Sequence, residues 1–457
     1  MLSPALSGCA SVEAPSWLLY PESYLRPAGD KGVTPSFGTR LSGIEGLRAI
    51  AACSVLVFHV WLFSSPDHLQ ADVGPLTRFL PDFAFGVTLF FTLSGFLLFR
   101  PFASAVMRGQ PVPSIRKYLR NRALRILPAY WVILLTCSLL LQSVLHRTTS
   151  GGLKNGGLFN AGGLLRDMLL VQHYEPGSVG TGIGPAWSLA VEIAFYLALP
   201  LLVLLAVLLA REAATRASRR FAALAPAALM LAIGLCGKGA AAYLVPPVHA
   251  FDGWEADWHS VLERSIACQA DLFAFGMALA VVRVDAEDGV LRLPRGWRPL
   301  TAAAALACYL VTAQFTFFDE HLSYSPFNTL MAFACALLVA LVVLPARKEA
   351  RAPVLLRILE TKPMVAIGLA SYSLFLWHEP IVRFLQAHDL TVGGNGGFFV
   401  NIAIVGAVAG VASAITYRWV EVPALRLKRV RPSRTIPEVH PSPEPAVASL
   451  DVPIVAE

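Results

Sequence analysis

Arg48 and His59 stand eleven residues apart within one apolar stretch, and eleven residues are close to three α-helical turns. The spacing predicts that both side chains leave one helix face, separated by about 16 Å along the axis. A guanidinium near the membrane surface can grip phosphate as a planar fork. An imidazole set deeper can take up a proton near neutral pH. That layout suits an extended thioester whose phosphates stay at the surface while its acyl end reaches a base. An interfacial arginine with an unrelated core histidine fits the same spacing, so both readings stand. Arg122 and Arg125, three residues apart, are neighbours on a helix surface. They are either a second phosphate clamp or a signal of topology alone.

Further ionisable residues fall inside apolar stretches: Glu192, Asp271, His378 and Glu379. Such groups are costly in a bilayer and usually face an internal cavity. Glu192, Asp271 or His378 can each orient His59 or an acceptor, and the sequence does not choose among them. No metal site is expected. The seven cysteines lack metal-ligand spacing; six of them (Cys53, Cys137, Cys236, Cys268, Cys308 and Cys335) read as small buried apolar residues within spans.

The elements that must hold these groups are membrane helices. The chain is 56% hydrophobic and 15% charged, with a mean hydropathy of +0.59, whereas globular domains carry about 25% charged residues. Apolar runs of about 20 residues match the bilayer. They place spans at 44–63, 83–99, 126–145, 186–209, 221–244, 265–282, 299–317, 327–345, 364–385 and 397–417. Of the lysines and arginines, 30 lie on the side of the N-terminus and 7 on the other, which by the positive-inside rule makes the first side cytoplasmic. The expected fold is an all-α integral membrane bundle of about ten transmembrane helices with both termini cytoplasmic. Residues 1–40 and 431–457 are expected to be disordered tails flanking a membrane domain over 41–430. The net charge of +7 sits in short loops and argues against nucleic acid as a partner. The loop 146–185, rich in glycine, is expected to be mobile, as a lid or a plain connector.

Several strings resemble the acyltransferase-3 family of bacterial multi-pass membrane O-acyltransferases. They are Gly43-Ile44-Glu45-Gly46-Leu47-Arg48-Ala49 with Phe58-His59, and Phe90-Phe91-Thr92-Leu93-Ser94-Gly95-Phe96-Leu97. Arg122-Ala123-Leu124-Arg125 before Leu127-Pro128, Trp187-Ser188-Leu189-Ala190-Val191-Glu192, Ser371 to His378, and Glu421-Val422-Pro423 complete the series. Glu45 replaces the more usual Asp, and Ile193-Ala194 replaces a frequent Glu-Gln, which removes a carboxylate beside Glu192. The resemblance covers about residues 40–430. It implies acyl-CoA as donor, a hydroxyl of a glycan or glycosylated molecule as acceptor, and a bacterial plasma membrane. It implies His59 as the essential histidine and Arg48, Arg122 and Arg125 as donor-binding residues; Glu192 is expected to join His59 as a catalytic residue. Ser94, Trp187, Asp271 and His378 are expected on the substrate side. Ser94 is read as structural or donor-lining, with no general base visibly paired to it. Direct transfer and an acyl-enzyme route both stay open, as does the choice between acetyl and longer acyl groups. A transporter or flippase of lipid-linked glycans is the competing reading, though no half-to-half repeat of the kind common in transporters is evident.

Overall fold

The computed structural model describes residues 41–65, 72–148, 151–245, 254–318, 326–345 and 353–428, without the side chains of 314–318 and 326–327. The two tails expected at 1–40 and 431–457 lie outside the described residues. The described residues from Ser42 onward pack as one unit.

Helix α1 (Ile44–Phe63) is followed by two 3-10 turns that lead into α2 (Phe85–Arg108). Helix α3 (Ile115–Leu135) ends in a wide π turn and passes into an antiparallel hairpin, β1 (Val144–Arg147) and β2 (Leu153–Gly156), then α4 (Ala161–Met168). Next come α5 (Ala186–Ala210), α6 (Arg216–Tyr243), the short α7 (Trp258–Glu263), α8 (Ile266–Glu287), α9 (Trp297–Phe318) and α10 (Pro326–Val343). The chain closes with α11 (Val354–Leu359), α12 (Lys362–Ala387), α13 (Gly394–Thr416) and, after a second π turn, α14 (Val422–Arg426).

Among the described residues, eight helical stretches are long and apolar enough to cross a membrane. The two remaining expected spans fall on α9 and α10. The fold is therefore an all-α membrane bundle. Its outer surface supports this: Leu197, Leu201, Leu204 and Leu208 of α5 all face outward. At steps of three and four residues they form one stripe, and an apolar stripe turned outward is stable only against lipid.

One boundary differs from expectation. The third span, expected from 126, begins eleven residues earlier, at Ile115. The Ser114 hydroxyl caps its first turn by accepting from the Lys117 amide (3.4 Å). Lys and Arg are good helix formers, so the helix runs through the basic segment, and Arg122 and Arg125 lie inside it. The loop expected to be mobile, as a lid or a plain connector, also carries structure. Leu145 exchanges backbone hydrogen bonds with Gly182, and Arg147 donates to the carbonyls of Val179 and Trp254, each at 2.7 Å. These bonds tie the hairpin to the segment before α5 and to the one before α7.

The basic ends of the helices meet at the opposite end of the bundle. Arg108 pairs with Asp288 (2.7 Å), Arg216 bridges Asp285 and Asp288, and Arg120 donates to the Leu427 carbonyl (2.8 Å). The loops that the charge count assigns to the cytosol therefore touch one another.

Close packing sets the positions of the functional helices. A Cβ on Gly368 would lie 1.9 Å from the Glu45 carbonyl oxygen, so α1 and α12 cross backbone to backbone. A Cβ on Gly95 would lie 2.2 Å from the Phe273 carbonyl oxygen, which brings α2 equally close to α8. Small residues at such crossings are how membrane helices approach closely.

Candidate active site

Helices α1, α2, α3, α5 and α12 line a narrow cavity of about 100 Å³, smaller than the usual range for small-molecule sites. Arg48, Arg122 and Arg125 all line it, with Ser94, Glu192 and Tyr372. The structure thus brings together three arginines that the sequence places on two separate helices. Arg48 Nε donates to the Ser371 hydroxyl (3.1 Å). Tyr372 donates to the Ile126 carbonyl (2.8 Å), which locks α12 against α3.

The two members of the Arg-x-x-Arg pair are not equivalent. Arg125 forms an ion pair with the buried Glu421 (3.0 Å), whose other oxygen accepts from Ser373 (2.6 Å). Arg122 lies over the Tyr196 ring, 5.9 Å from its centre, and no carboxylate among the described residues forms an ion pair with it. Lys428, half-buried just past α14, was not singled out by sequence. Burial, with Arg122 and Arg125 nearby, pulls its ammonium down to about 7, which marks this end of the cavity as a cluster of cations.

Ser94 does have a carboxylate partner. Its hydroxyl donates to Glu192 Oε1 (2.6 Å), across 98 residues of chain, so helical periodicity could not reveal the pair. Both groups sit among the arginines, and Glu192 is not beside His59. Trp187 packs edge-on against Phe91 (6.2 Å between ring centres), one residue before the cavity-lining Ser188.

The cavity's far end is aromatic, formed by Phe90 and Phe91 of α2 and Phe375 of α12. Neither His59 nor His378 lines it. The face of α12 that presents Tyr372 and Phe375 to the cavity carries His378 one turn further on. There His378 Nε2 stands 3.2 Å from His59 Nδ1. His59 Nδ1 also lies 2.9 Å from the Val55 carbonyl oxygen, and His378 Nδ1 lies 3.2 Å from that of Leu374. Carbonyls only accept. Each Nδ1 therefore carries its proton, and the Nε2 lone pair of His378 accepts from His59. The Nε2 of His59 is left as an unprotonated base, and the two acceptors at Nδ1 stabilise the cation that forms when Nε2 gains a proton.

Asp271 belongs elsewhere. It pairs with Lys238 inside the bundle, and Thr329 donates to it (2.5 Å). Asp271 stands out in the sequence, but Lys238, which offsets its charge, does not, because a lone apolar-segment lysine near a helix end resembles an interfacial one. Glu379 pairs with Arg383 (2.6 Å) one turn along α12, and Arg383 lies over the Phe63 ring. Among the described residues no group of His, Cys, Asp and Glu is arranged to hold a metal. Of the cysteines expected in the interior, Cys137, Cys268 and Cys335 are buried, whereas Cys236 lies on the outer surface.

A multi-pass helical bundle with an arginine-lined interior cavity and a histidine pair beyond it suits a membrane enzyme, and comparison with known sequences specifies the family. The pattern of the acyltransferase-3 family, described as an acyltransferase domain, matches residues 41–419, so the chain belongs to that family. It is 28% identical over 418 residues to acyltransferase MdmB of Streptomyces mycarofaciens, covering 87% of this chain and 95% of that protein. It is 23% identical over 403 residues to O-acetyltransferase OatA of Staphylococcus aureus, covering 84% of this chain and 57% of OatA. A membrane-bound transacylase of Komagataeibacter xylinus, BcsY, is 25% identical over 396 residues, 83% of this chain and 84% of that protein. No solved structure matches the chain.

Proposed function

We propose that the protein transfers a short acyl group, acetyl or a close homologue, from acyl-CoA to a hydroxyl of a glycan or glycosylated acceptor at the bacterial plasma membrane. The observation that carries this reading is the shared alignment of α1 and α12. Each leads from the arginine cluster at one end to the histidine pair at the other. Acyl-CoA enters from the cytosol with its phosphates at Arg48, Arg122 and Arg125, and its pantetheine arm lies in the cavity. The acceptor arrives from the other side. His59 Nε2 takes the hydroxyl proton as the oxygen attacks the thioester carbonyl. A C–O bond forms, the C–S bond breaks, and the departing thiolate takes the proton from His59. His378 is a positioning residue that holds the tautomer of His59 and shares the charge of its imidazolium. Glu192, hydrogen-bonded to Ser94, moderates the positive charge of the donor end. The name of one relative, an O-acetyltransferase, supports an oxygen acceptor and a short acyl group.

The test is acyl transfer by purified His59→Gln protein. Glutamine keeps polarity but cannot take a proton at neutral pH. Transfer should fall by about 100-fold or more, the usual share of a general base, while acyl-CoA still binds. A well-folded His59→Gln enzyme with most of its activity would remove His59 from the mechanism.

A further inference from the structure

The donor cavity and the histidine pair do not communicate openly. Between them stand two rings: Phe90 and Phe375 meet edge to face with centres 5.6 Å apart. Phe375 in turn lies 5.8 Å from the His378 ring. On the reading above, the thioester brings its carbonyl up to these rings, where a hydroxyl held at His59 can reach it. The acyl chain is then the part of the donor that lies against them.

The rest of this wall cannot yield easily. Phe91 stacks on Phe273 (4.7 Å), and Phe273 stacks on Phe195 (4.2 Å). All three are buried, and Phe273 sits where α8 crosses α2 at Gly95. Interiors packed this way resist expansion. Phe90 is only half-buried and meets Phe375 edge to face, while Phe375 is buried with its ring against both the cavity and His378.

We propose that Phe90 and Phe375 are the specificity-determining residues for acyl length, admitting short chains and excluding long ones by occupying the space those chains would need. The proposal rests on the acyl-CoA reading of the cavity. It assigns the limit to a named pair of side chains, neither of which bears the chemistry. Substituting either ring should lengthen the acyl group accepted without altering the phosphate contacts.

The experiment measures displacement of tritiated acetyl-CoA from purified full-length protein by acetyl-, butyryl-, hexanoyl- and octanoyl-CoA. The wild-type protein should bind acetyl-CoA more tightly than octanoyl-CoA. Phe90→Ala and Phe375→Ala should shift that ratio toward the long chain by about 10-fold or more, the discrimination that one or two methylenes carry in an apolar pocket. Phe90→Leu, which keeps most of the bulk, should shift it little. Because Phe90 is half-buried, its alanine variant keeps the test open if Phe375→Ala does not fold. If acetyl-CoA binds but the chain-length profile is the same in wild type and Phe90→Ala, the gauge is wrong and the donor reading survives. If acetyl-CoA does not bind the wild-type protein, both fall together.

Discussion

Arg122 and Arg125 separate two effects that one mutation often confounds. Arg125 is compensated by Glu421, which is almost wholly buried. Removing Arg125 would leave that carboxylate uncompensated, and breaking a buried pair this way typically costs about 3–5 kcal/mol. Arg122 has only a ring beneath it. Arg122→Ala should therefore weaken acyl-CoA binding by about 10-fold or more, the value of one lost charge-assisted hydrogen bond, with little change in thermal stability. Arg125→Ala should lose both affinity and stability. Titration of each variant with acyl-CoA, alongside its melting temperature, checks this; equal stability loss in the two would contradict the partition. The candidates themselves were legible in sequence, because charged residues in apolar runs are conspicuous and helical spacing tells which share a face. Their partners were not. His59 meets His378 across 319 residues and Ser94 meets Glu192 across 98. Periodicity assigns a residue to a face of its helix but not to the helix opposite.

The helices were legible because a bilayer demands about 20 apolar residues per crossing, and every expected span carries a helix. Boundaries were not, since polar turns at the interface extend a helix without adding hydropathy, as α3 shows. The segment between α3 and α5 was least legible. Its glycines suggested a connector, yet it is tied by Arg147 and by Asp167. The Tyr130 hydroxyl donates to the Asp167 carbonyl oxygen (2.6 Å), and Thr181 donates to its carboxylate (3.1 Å). Burial lifts the Asp167 carboxyl to about 7, well above the ordinary value near 3.9 in an unfolded chain. Below pH 4 both states are protonated and Asp167 costs nothing. As pH rises from 4 to 7 the unfolded chain ionises freely while the folded one resists, so stability falls and then levels off. Asp167→Asn retains an oxygen for Thr181 and cannot ionise. Its melting temperature in detergent should match wild type near pH 3 and exceed it by a few degrees at pH 8. A difference that stays constant with pH would show that this carboxyl is not held protonated by the fold.

Across the whole molecule, the charge asymmetry and the family resemblance together anticipated a membrane acyltransferase with a basic cytosolic face. What neither could supply is the division of the interior into an arginine-lined cavity and a histidine pair, separated by two phenylalanine rings. That division arises from the crossing of α1 and α12 at Gly368 and of α2 and α8 at Gly95. On the proposed mechanism it gives the molecule a direction: the donor would approach from the face where Arg108, Arg216 and Asp288 gather, and the acceptor from the face where Arg147 braces the hairpin. Sided turnover tests this directly. Protein reconstituted in vesicles in known orientation, with a hydroxyl acceptor present on both sides, receives acetyl-CoA on one side only. Release of CoA should occur when acetyl-CoA faces the arginine end and be abolished when it is confined to the hairpin end. Release from the hairpin end alone, or no release from either, would contradict the account.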